Sequence, residues 1–375
     1  MKIKDPEVTL ADEARSGVKE EVRSGFLDWL TSFVVKGDDG ETYVCGGSIL
    51  SLAVEQLDLV SVGLSKGTGK AEQLPSSIYK VGRYPGPVFD RIIRQPKGTL
   101  HIEKGEDQVI VTCGGEFRVE CNADKSWHLF ISLPSENYRA ELWHRPQGYP
   151  LWYGREKPSF LTQHSVTYGY NWSGKVDGWL EIGGKKINVR GFGIRERYVA
   201  VDSSAAELGG WEDWGFIAFN EFHSSMYDMR LGMKDFSVYD LERKKHYPEG
   251  KLTITHEDWA FLRELDGFIP TVYNIRIEVE DGVYEVRAHV GNATTWGVTY
   301  KVPDNPVATL IFDRVDGTFT YKDGSVKKLT GGTGDMSVRQ WHPYPNILPR
   351  ELYSDETRTG EKFETCLLYT SDAAD

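Results

Sequence analysis

The chain has 375 residues, of which 39% are hydrophobic and 27% are charged. This length leaves room for two domains, and the balance is typical of a globular protein. The net charge of −12 argues against a nucleic-acid partner or an anionic membrane surface, because both require a basic patch. No run of about 18 apolar residues is present, so we predict no transmembrane helix.

Aromatic residues are frequent, at 12% of the chain with 11 Trp and 19 Tyr. Large rings favour β-sheets and the walls of apolar cavities. Residues 1–17 lack the apolar core of a signal peptide, which predicts a cytoplasmic protein. The cysteines include no Cys-x-x-Cys pair. We expect reduced thiols, with a Cys113–Cys121 disulfide across a hairpin as the alternative.

The chain begins with an extension over residues 1–24 that carries mixed charge, and residues 5–24 are expected to be helical or frayed. A hairpin follows over residues 24–50, with strands on either side of an Asp-Asp-Gly turn. Residues 63–98 are rich in Gly, Pro, Ser and Lys, which predicts loops around short strands.

From Thr99 onward the β pattern is continuous. One hairpin is expected to turn at residues 122–125 and another at residues 183–184. In residues 275–280, Ile and Val alternate with Arg and Glu before an Asp-Gly turn, which is the pattern of a half-buried strand. The Pro-rich end over residues 332–352 is expected to wrap around the outside.

The last ten residues, CLLYTSDAAD, resemble the translation of a sequencing adapter. We therefore interpret residues 366–375 as an artefact in a sequence of metagenomic origin. They are left out of the fold prediction.

Many short strands, tight turns and few long amphipathic helices predict an all-β protein of barrels or sandwiches. A weak internal repeat indicates two halves. Asp28 and Trp29 precede an apolar run that starts at Phe33, and a second acidic–Trp pair at residues 213–214 precedes a similar run. Each pair therefore begins a long apolar strand.

The sequence resembles the AttH-like, tandem lipocalin-like superfamily at three places. The first strand of that family opens with an acidic residue followed by aromatics, as Asp28, Trp29 and Phe33 do here. The family's hairpin with spaced glycines is similar to residues 178–191. A Trp-Asp-Trp-like segment opens the second half of the family, and residues 211–214 match it.

This superfamily includes carotenoid 1,2-hydratases, kievitone-hydratase-like proteins and lipocalin-like pericyclases of fungal polyketide pathways. The resemblance covers residues 25–350. It implies two barrels and a cofactor-independent reaction on a hydrophobic small molecule. One place departs from the family, whose members often have an acidic–His pair and a Trp where this chain has Arg195, Glu196, Arg197 and Tyr198. The family's histidine has no counterpart there.

No phosphate-binding loop, dinucleotide-binding fingerprint, HExxH motif or nucleophile elbow is present. The glycine-rich residues 67–70 and 331–334 do not lie between a strand and a clear helix. Glu221 and His223 share one face of a predicted strand, because side chains alternate there. With a third ligand they could bind a metal ion. Two residues do not make a site, so no metal is predicted.

The candidate site lies between residues 191 and 235, where acidic and aromatic residues are dense. Adding water to an alkene, or removing it, requires a proton donor and stabilisation of a cation. A carboxyl group in an aromatic-lined cavity has a raised pKa and can donate a proton, and aromatic faces stabilise cations. The predicted catalytic residues are Asp213, with Glu196 as runner-up, Glu221 and His223. The predicted substrate-binding residues are Trp29, Tyr198, Trp211, Trp214 and Tyr227.

An alternative role for these carboxylates is to form ion pairs that fasten the two halves together, since buried carboxylates are normally paired. Arg195, Arg197 and Arg230 would be their partners. Trp29 and Trp214 could likewise be core residues rather than cavity walls.

The predicted fold is all-β, with two lipocalin-like antiparallel β-barrels in tandem. Its divisions are an N-terminal extension at 1–24, barrel 1 at 25–195, barrel 2 at 196–350 and a tail at 351–375. The resemblance implies a hydratase, isomerase or cyclase that acts on an isoprenoid- or polyketide-like molecule. No cofactor or nucleic acid is expected, and the predicted partner is a hydrophobic small molecule.

Two other functions stay open. The protein could be a non-catalytic binder of a hydrophobic ligand, or a structural or stress-response protein with a filled core. An apolar cavity with an unpaired carboxylate would favour the enzyme, and a cavity without an ionisable group would favour the binder. The sequence predicts neither the substrate nor the oligomeric state.

Overall fold

The computed structural model describes residues 7–16, 26–53, 56–75, 79–160, 166–200, 212–229, 234–263, 267–296 and 307–339. Within these ranges the chain is almost entirely β-strand, with one short α-helix, α1 (Leu10–Glu13), and one 3₁₀ helix (Pro134–Glu136). The all-β prediction is confirmed. Two residues named above, Trp211 and Arg230, and the tail beyond residue 339 lie outside the described residues.

In the described residues, the first sheet contains 12 strands. They are β1 (Phe26–Gly37), β2 (Thr42–Leu52), β3 (Leu57–Lys66), β6 (Pro87–Pro96), β7 (Leu100–Lys104), β8 (Gln108–Cys113), β9 (Phe117–Asn122), β10 (Trp127–Leu133), β11 (Tyr138–Pro146), β12 (Leu151–Phe160), β13 (Val166–Ile182) and β14 (Lys185–Ala200).

The second sheet also contains 12 strands within the described ranges. They are β4 (Lys70–Gln73), β5 (Lys80–Arg83), β15 (Glu212–Ala218), β16 (Phe222–Met229), β17 (Lys234–Asp240), β18 (Lys245–Tyr247), β19 (Gly250–Leu262), β20 (Gly267–Val279), β21 (Gly282–Trp296), β22 (Val307–Tyr321), β23 (Val326–Leu329) and β24 (Thr333–Arg339).

Each sheet curls around its own apolar core because a strand from its beginning pairs with a strand from its end. In the first sheet β1 pairs antiparallel with β14, and in the second β15 pairs antiparallel with β24. The core of the first sheet contains Trp29, Phe33 and Trp127, and that of the second contains Ile217 and Tyr273. We call the two units barrel 1 and barrel 2.

Two predicted hairpins are confirmed. Strands β13 and β14 turn at Gly183 and Gly184, whose φ angles of 60° and 80° are readily adopted only by glycine. Strands β20 and β21 turn at an Asp-Gly sequence, with Val279 opposite Gly282.

The prediction that residues 332–352 wrap around the outside is wrong for residues 333–339. These residues form β24, which lies between β15 and β22. Met336 and Val338 alternate into the core of barrel 2. The prolines that suggested an outer wrap come after this strand, outside the described residues.

The short strands β4 and β5 leave the first half of the chain and join the edge of barrel 2. Strand β5 pairs with β19, with Lys80 opposite Ala260. This pairing is parallel, whereas the other pairings of the described strands are antiparallel. Strand β14 stays in barrel 1 to Ala200. The division of the chain at residues 195–196 stays a prediction.

The two barrels pack against each other through an apolar layer that we call the seam. Ser32 on β1 donates a hydrogen bond to Asp335 on β24, with 2.5 Å between Oγ and Oδ2. The seam is built from buried residues of both barrels: Val34, Val44, Leu151, Tyr153, Ile194, Trp214, Phe216, Ala218, Tyr227 and Ile311.

The three cysteines in the described ranges, Cys45, Cys113 and Cys121, are buried free thiols. Across β8 and β9, Cys113 lies opposite Phe117 and Cys121 opposite Val109. The expectation of reduced thiols is confirmed for these three residues. Over the same ranges, the one α-helix is too short to cross a membrane.

Candidate active site

Asp213 lies on β15 and points into barrel 2. Successive side chains of a strand point to opposite faces. Ile217 faces the core of barrel 2, so Asp213 does too, whereas Trp214 and Phe216 face the seam. Asp213 is 0% exposed. The neighbouring Trp214 ring therefore lies on the other side of the sheet from the Asp213 carboxyl group.

Two side chains from β19 and β20 contact this carboxyl group. His256 Nε2 lies 3.1 Å from Asp213 Oδ2 and 3.3 Å from Oδ1. The Tyr273 hydroxyl lies 3.4 Å from Oδ1 and donates to it. His256 and Tyr273 face each other across neighbouring strands, at 1% and 0% exposure. We call Asp213, His256 and Tyr273 the barrel 2 triad.

The triad can hold and move a proton. An ionised Asp213 only accepts hydrogen bonds, so His256 Nε2 then carries the hydrogen between them. The imidazole is fixed by aromatic rings. Its centroid lies 4.8 Å from the Tyr273 ring at 89° and 5.6 Å from the Trp259 ring at 68°. A carboxyl–imidazole pair held in place in this way is suited to general acid/base catalysis.

A second buried carboxylate lies beside the triad. Asp228 on β16 is directly opposite Asp213 on β15. Like charges opposite each other on neighbouring strands are destabilising. Lys234 contacts Asp228, with 2.8 Å between Nζ and Oδ2, and so compensates this charge. The two acids are therefore balanced by different partners.

The seam holds another acidic group at one end. The Tyr153 hydroxyl donates to Glu196, with 2.5 Å between the oxygens. The Tyr153 ring contacts Tyr198 and Tyr227 edge-on, with centroids 6.0 Å and 5.8 Å apart. Asp28 is buried nearby, and its pKa is raised well above the ordinary value by burial first and by the Glu196 charge second. Glu196, Tyr198 and Tyr227 thus come together in the seam, away from Asp213.

Asp335 is a further buried acid of the seam, and the sequence analysis did not single it out. It is 0% exposed, and its Oδ1 atom has no hydrogen-bond partner among the described residues. Burial raises the pKa of Asp335 to about 7, although the hydrogen bond from Ser32 opposes the shift. Asp335 can therefore gain or lose a proton near neutral pH.

His223 lies in the seam against the edge of Phe192, with ring centroids 5.2 Å apart. Burial lowers the pKa of His223 to about 3. Its side chain is therefore neutral near neutral pH. This position separates His223 from the barrel 2 triad, which lies on the other side of the sheet.

Glu221 is half-buried next to a turn. Thr330 donates to it from the backbone N and from Oγ1, at 2.9 Å and 2.7 Å. Burial raises the pKa of Glu221, but these hydrogen bonds outweigh it, and the net pKa lies below the ordinary value. Within the described ranges, no three His, Cys, Asp or Glu side chains are arranged to hold a metal ion.

Trp29 lies in barrel 1, where the Arg197 guanidinium stacks 3.8 Å from its ring centroid. Arg195 and Arg197 point into barrel 1, on the opposite face of β14 from Glu196. Arg195 contacts Glu13, with 3.7 Å between Nη2 and Oε1. The ion-pair alternative, in which Arg195 pairs with a carboxylate of the candidate site, is therefore wrong for this arginine.

The structure divides the predicted site residues among four places. Asp213 is in barrel 2, Trp29 is in barrel 1 and Glu221 lies beside a turn. The others in the described ranges border the seam: Glu196, Tyr198, Trp214, His223 and Tyr227. Their roles stay predictions. The sequence analysis missed His256 and Tyr273 as partners of Asp213. One signal was available for His256, because it shares the even-numbered face of Leu252 and Ile254 in a strand-like run.

The fold belongs to a recognisable class, that of two lipocalin-like antiparallel barrels in tandem. Solved structures with this fold include a protein assigned as AttH from Nitrosomonas europaea. It has a TM-score of 0.56 and 13% identity over 86% of this chain and 94% of that one. The predicted resemblance is confirmed at the level of the fold.

Two further structures are similar. Kievitone hydratase from Nectria haematococca has a TM-score of 0.56 and 11% identity over 90% of this chain and 94% of its own. CghA, in a structure with Sch210972, has a TM-score of 0.55 and 10% identity over 87% of this chain and 95% of its own. The sequence matches no protein-family profile. It also matches no curated protein.

Proposed function

We propose that this chain is a cofactor-independent hydratase, isomerase or cyclase that uses acid/base chemistry on a hydrophobic, isoprenoid- or polyketide-like small molecule. The observation that carries the proposal is the barrel 2 triad. In this triad an imidazole and a phenol lie within hydrogen-bond reach of one carboxyl group in an aromatic interior. Kievitone hydratase, which shares the fold, has a name consistent with this reaction class.

In the proposed hydration, the Asp213–His256 pair delivers a proton to one alkene carbon. The resulting cation is stabilised by the faces of nearby rings such as Trp259 and Tyr273. Water adds to the cation, and the proton that this water loses returns to the pair. In an isomerisation, the cation instead loses a proton from a neighbouring carbon. In a cyclisation, a second alkene attacks the cation, and the new cation that forms loses a proton from carbon. In both cases this proton returns to the Asp213–His256 pair.

The backbone beside His256 also supports a functional role. Asp258 is a non-glycine residue with a φ of 56°, which is uncommon, and such conformations cluster at active sites. Asp258 lies between His256 and the half-buried Trp259. We therefore propose that the substrate enters at this end of β19.

A second candidate function is a non-catalytic binder of a hydrophobic ligand. It is favoured by the contacts of Asp213 with His256 and Tyr273, because a buried carboxylate with partners can serve structure alone. In that case the triad fixes strands β15, β19 and β20 together and takes no part in a reaction.

The experiment is a turnover screen with isoprenoid alkenes and their hydrated alcohols, read by mass spectrometry in water and in D₂O. Asp213→Asn is compared with Asp335→Asn, a buried acid that faces the seam. The proposal predicts that Asp213→Asn folds and loses about 10²–10⁴-fold in turnover. Asp335→Asn should keep its turnover.

Equal turnover in the wild type and Asp213→Asn would refute the catalytic role of this residue. Loss of turnover only in Asp335→Asn would move the reaction to the seam. Saturable Trp fluorescence quenching by the panel, with no product and no deuterium incorporation, would favour the binder.

A further inference from the structure

Residues 7–16 form a short segment that docks on barrel 1, and we call it the docking segment. Its only helix, α1, has four residues and is capped by Thr9, whose backbone N donates to Asp12 Oδ2 at 2.7 Å. Helices shorter than about 12 residues are marginal in isolation. The segment is therefore held by its contacts with barrel 1, where Ala14 joins the core and Leu10 packs against it.

Glu13 carries the central polar contact of the docking segment. Its Oε1 atom accepts hydrogen bonds from Trp127 Nε1 at 3.0 Å and from the Tyr170 hydroxyl at 2.5 Å. Its Oε2 atom is buried and has no hydrogen-bond partner among the described residues. The Glu13 carboxylate is therefore enclosed by barrel 1 but only half satisfied.

Arg195 faces this carboxylate from the interior of barrel 1. It is 0% exposed and is surrounded by three rings, with Cζ 4.8 Å from the Trp127 centroid, 5.1 Å from Trp172 and 5.6 Å from Tyr170. One donor, Nη1, is used by the Lys125 carbonyl at 2.6 Å. The Nε and Nη2 atoms have no hydrogen-bond partner in the described part of the chain.

Arg197 is buried beside Arg195, and burial lowers its pKa to about 10. Its donors are used by backbone carbonyls. Two of these belong to the docking segment, since Nε donates to Glu13 O at 3.2 Å and Nη2 donates to Arg15 O. Removal of the segment would leave these two donors without acceptors.

The two guanidinium groups are poorly matched by Glu13. Arginine–carboxylate pairs are often bidentate, and buried charges require close partners. Here Arg195 Nη2 and Glu13 Oε1 are 3.7 Å apart, and both side chains keep buried polar atoms without hydrogen-bond partners among the described residues. The arrangement is that of a carboxylate site filled by an imperfect occupant.

We propose that Arg195 and Arg197 form a binding site for a hydrophobic carboxylic acid in barrel 1, and that the docking segment occupies this site in competition with the ligand. The segment presents the Glu13 carboxylate on an apolar body. Val8 packs on Tyr170 and Trp172, and Leu10 packs on the barrel core.

A carboxylic acid with an alkyl body would replace both parts of this contact. Its carboxylate can take a bidentate position on Arg195 and supply acceptors for the two donors of Arg197 that the segment releases. Its alkyl chain would cover the apolar surface that Val8 and Leu10 now cover. This site is separate from the barrel 2 triad, so the inference does not depend on the proposed function.

The test measures binding of decanoate, with 1-decanol as the uncharged match, to the full chain by calorimetry and Trp fluorescence. Glu13→Gln removes the competing charge and keeps the shape of the side chain. We expect it to bind decanoate at least about tenfold more tightly than the wild type, within the usual range of coupling between competing groups. Binding of 1-decanol should not change. Glu7→Gln is the control, because Glu7 is an exposed acid of the same segment, paired at 3.7 Å with Lys125.

Equal decanoate affinity in Glu13→Gln and Glu7→Gln would overturn the proposal. So would an equal gain for 1-decanol, or no decanoate binding by any form of the chain. Hydrogen exchange gives a readout that needs no variant of the barrel. Decanoate should speed exchange of the amides at residues 12–14, which now bond within the segment. Unchanged or slower exchange at saturating decanoate would contradict displacement.

Discussion

The two barrels bury charged side chains in different ways. In barrel 1, Arg195 and Arg197 are met by Glu13, which comes from a segment outside the sheet. In barrel 2, Asp213 is met by His256 and Tyr273, which belong to strands of the same sheet. Buried charges require partners. The charge balance of barrel 1 therefore depends on a segment outside its sheet, whereas that of barrel 2 is built into its strands.

The acidic–Trp repeat shows the same difference at one position of each barrel. On β1, Trp29 faces the core of barrel 1 and Asp28 is buried on the seam side, whereas on β15 Asp213 faces the core and Trp214 faces the seam. Because side chains alternate, a one-residue change of register exchanges the two faces. Similar sequences thus give barrel 1 an aromatic interior at this position and barrel 2 an acidic one.

The largest expected effect on the free energy of unfolding comes from Asp335 in the seam. Burial raises the pKa of Asp335 from its ordinary value of 3.8 to about 7. A raised carboxyl pKa gives stability that is fully present below about pH 4 and is lost as pH rises through 7. The loss corresponds to an order of magnitude of about 4 kcal/mol. Asp335→Asn should remove this loss and be more stable than the wild type at pH 8.

Urea denaturation between pH 4 and pH 8 measures this effect. Asp313→Asn is the control, because Asp313 is an exposed acid on the neighbouring strand β22. If the stability of Asp335→Asn depends on pH as that of the wild type does, Asp335 does not titrate in the seam.

A smaller effect on stability compares the interiors of the two barrels directly. His256→Leu removes a hydrogen-bond donor from the Asp213 carboxyl group. This group stays buried, because Asp213 is part of strand β15. We expect a loss of about 2–3 kcal/mol in the free energy of unfolding. Glu13→Gln should cost less, about 1 kcal/mol or below, because the docking segment can detach while the sheet stays folded.

Urea denaturation of the full chain compares these two variants. Thr255→Leu is the control, because it introduces a leucine, as His256→Leu does, but on the exposed outer face of β19. It should leave the free energy of unfolding almost unchanged. A larger loss in Glu13→Gln than in His256→Leu would reverse the contrast between the barrels.

Local signals were sufficient to predict most hairpins. The Gly-Gly and Asp-Gly turns at residues 183–184 and 281–282 act between adjacent strands, so turn chemistry and alternation define them. Strand β24 was missed because its partner β15 lies more than a hundred residues earlier in the chain. Local sequence patterns do not predict which distant strand pairs with the first strand and closes the sheet.

The candidate site was only partly predictable, because its residues also come from distant parts of the chain. Asp213 was chosen for its neighbouring Trp rings, yet Trp214 points to the other face of the strand. The residues that contact Asp213 are 43 and 60 positions away. Glu13 and Arg197 are separated by 184 positions. Such contacts depend on strand order, which the sequence pattern does not specify.

The central claim is that Asp213 and His256 act as one acid/base unit in barrel 2. The most direct test is the turnover of Asp213→Asn, His256→Gln and the double variant, on a substrate found in the panel. Residues that act as a unit give strongly non-additive losses. We predict that the double variant is no slower than the slower single variant. Losses that multiply, or full activity in either single variant, would contradict the claim.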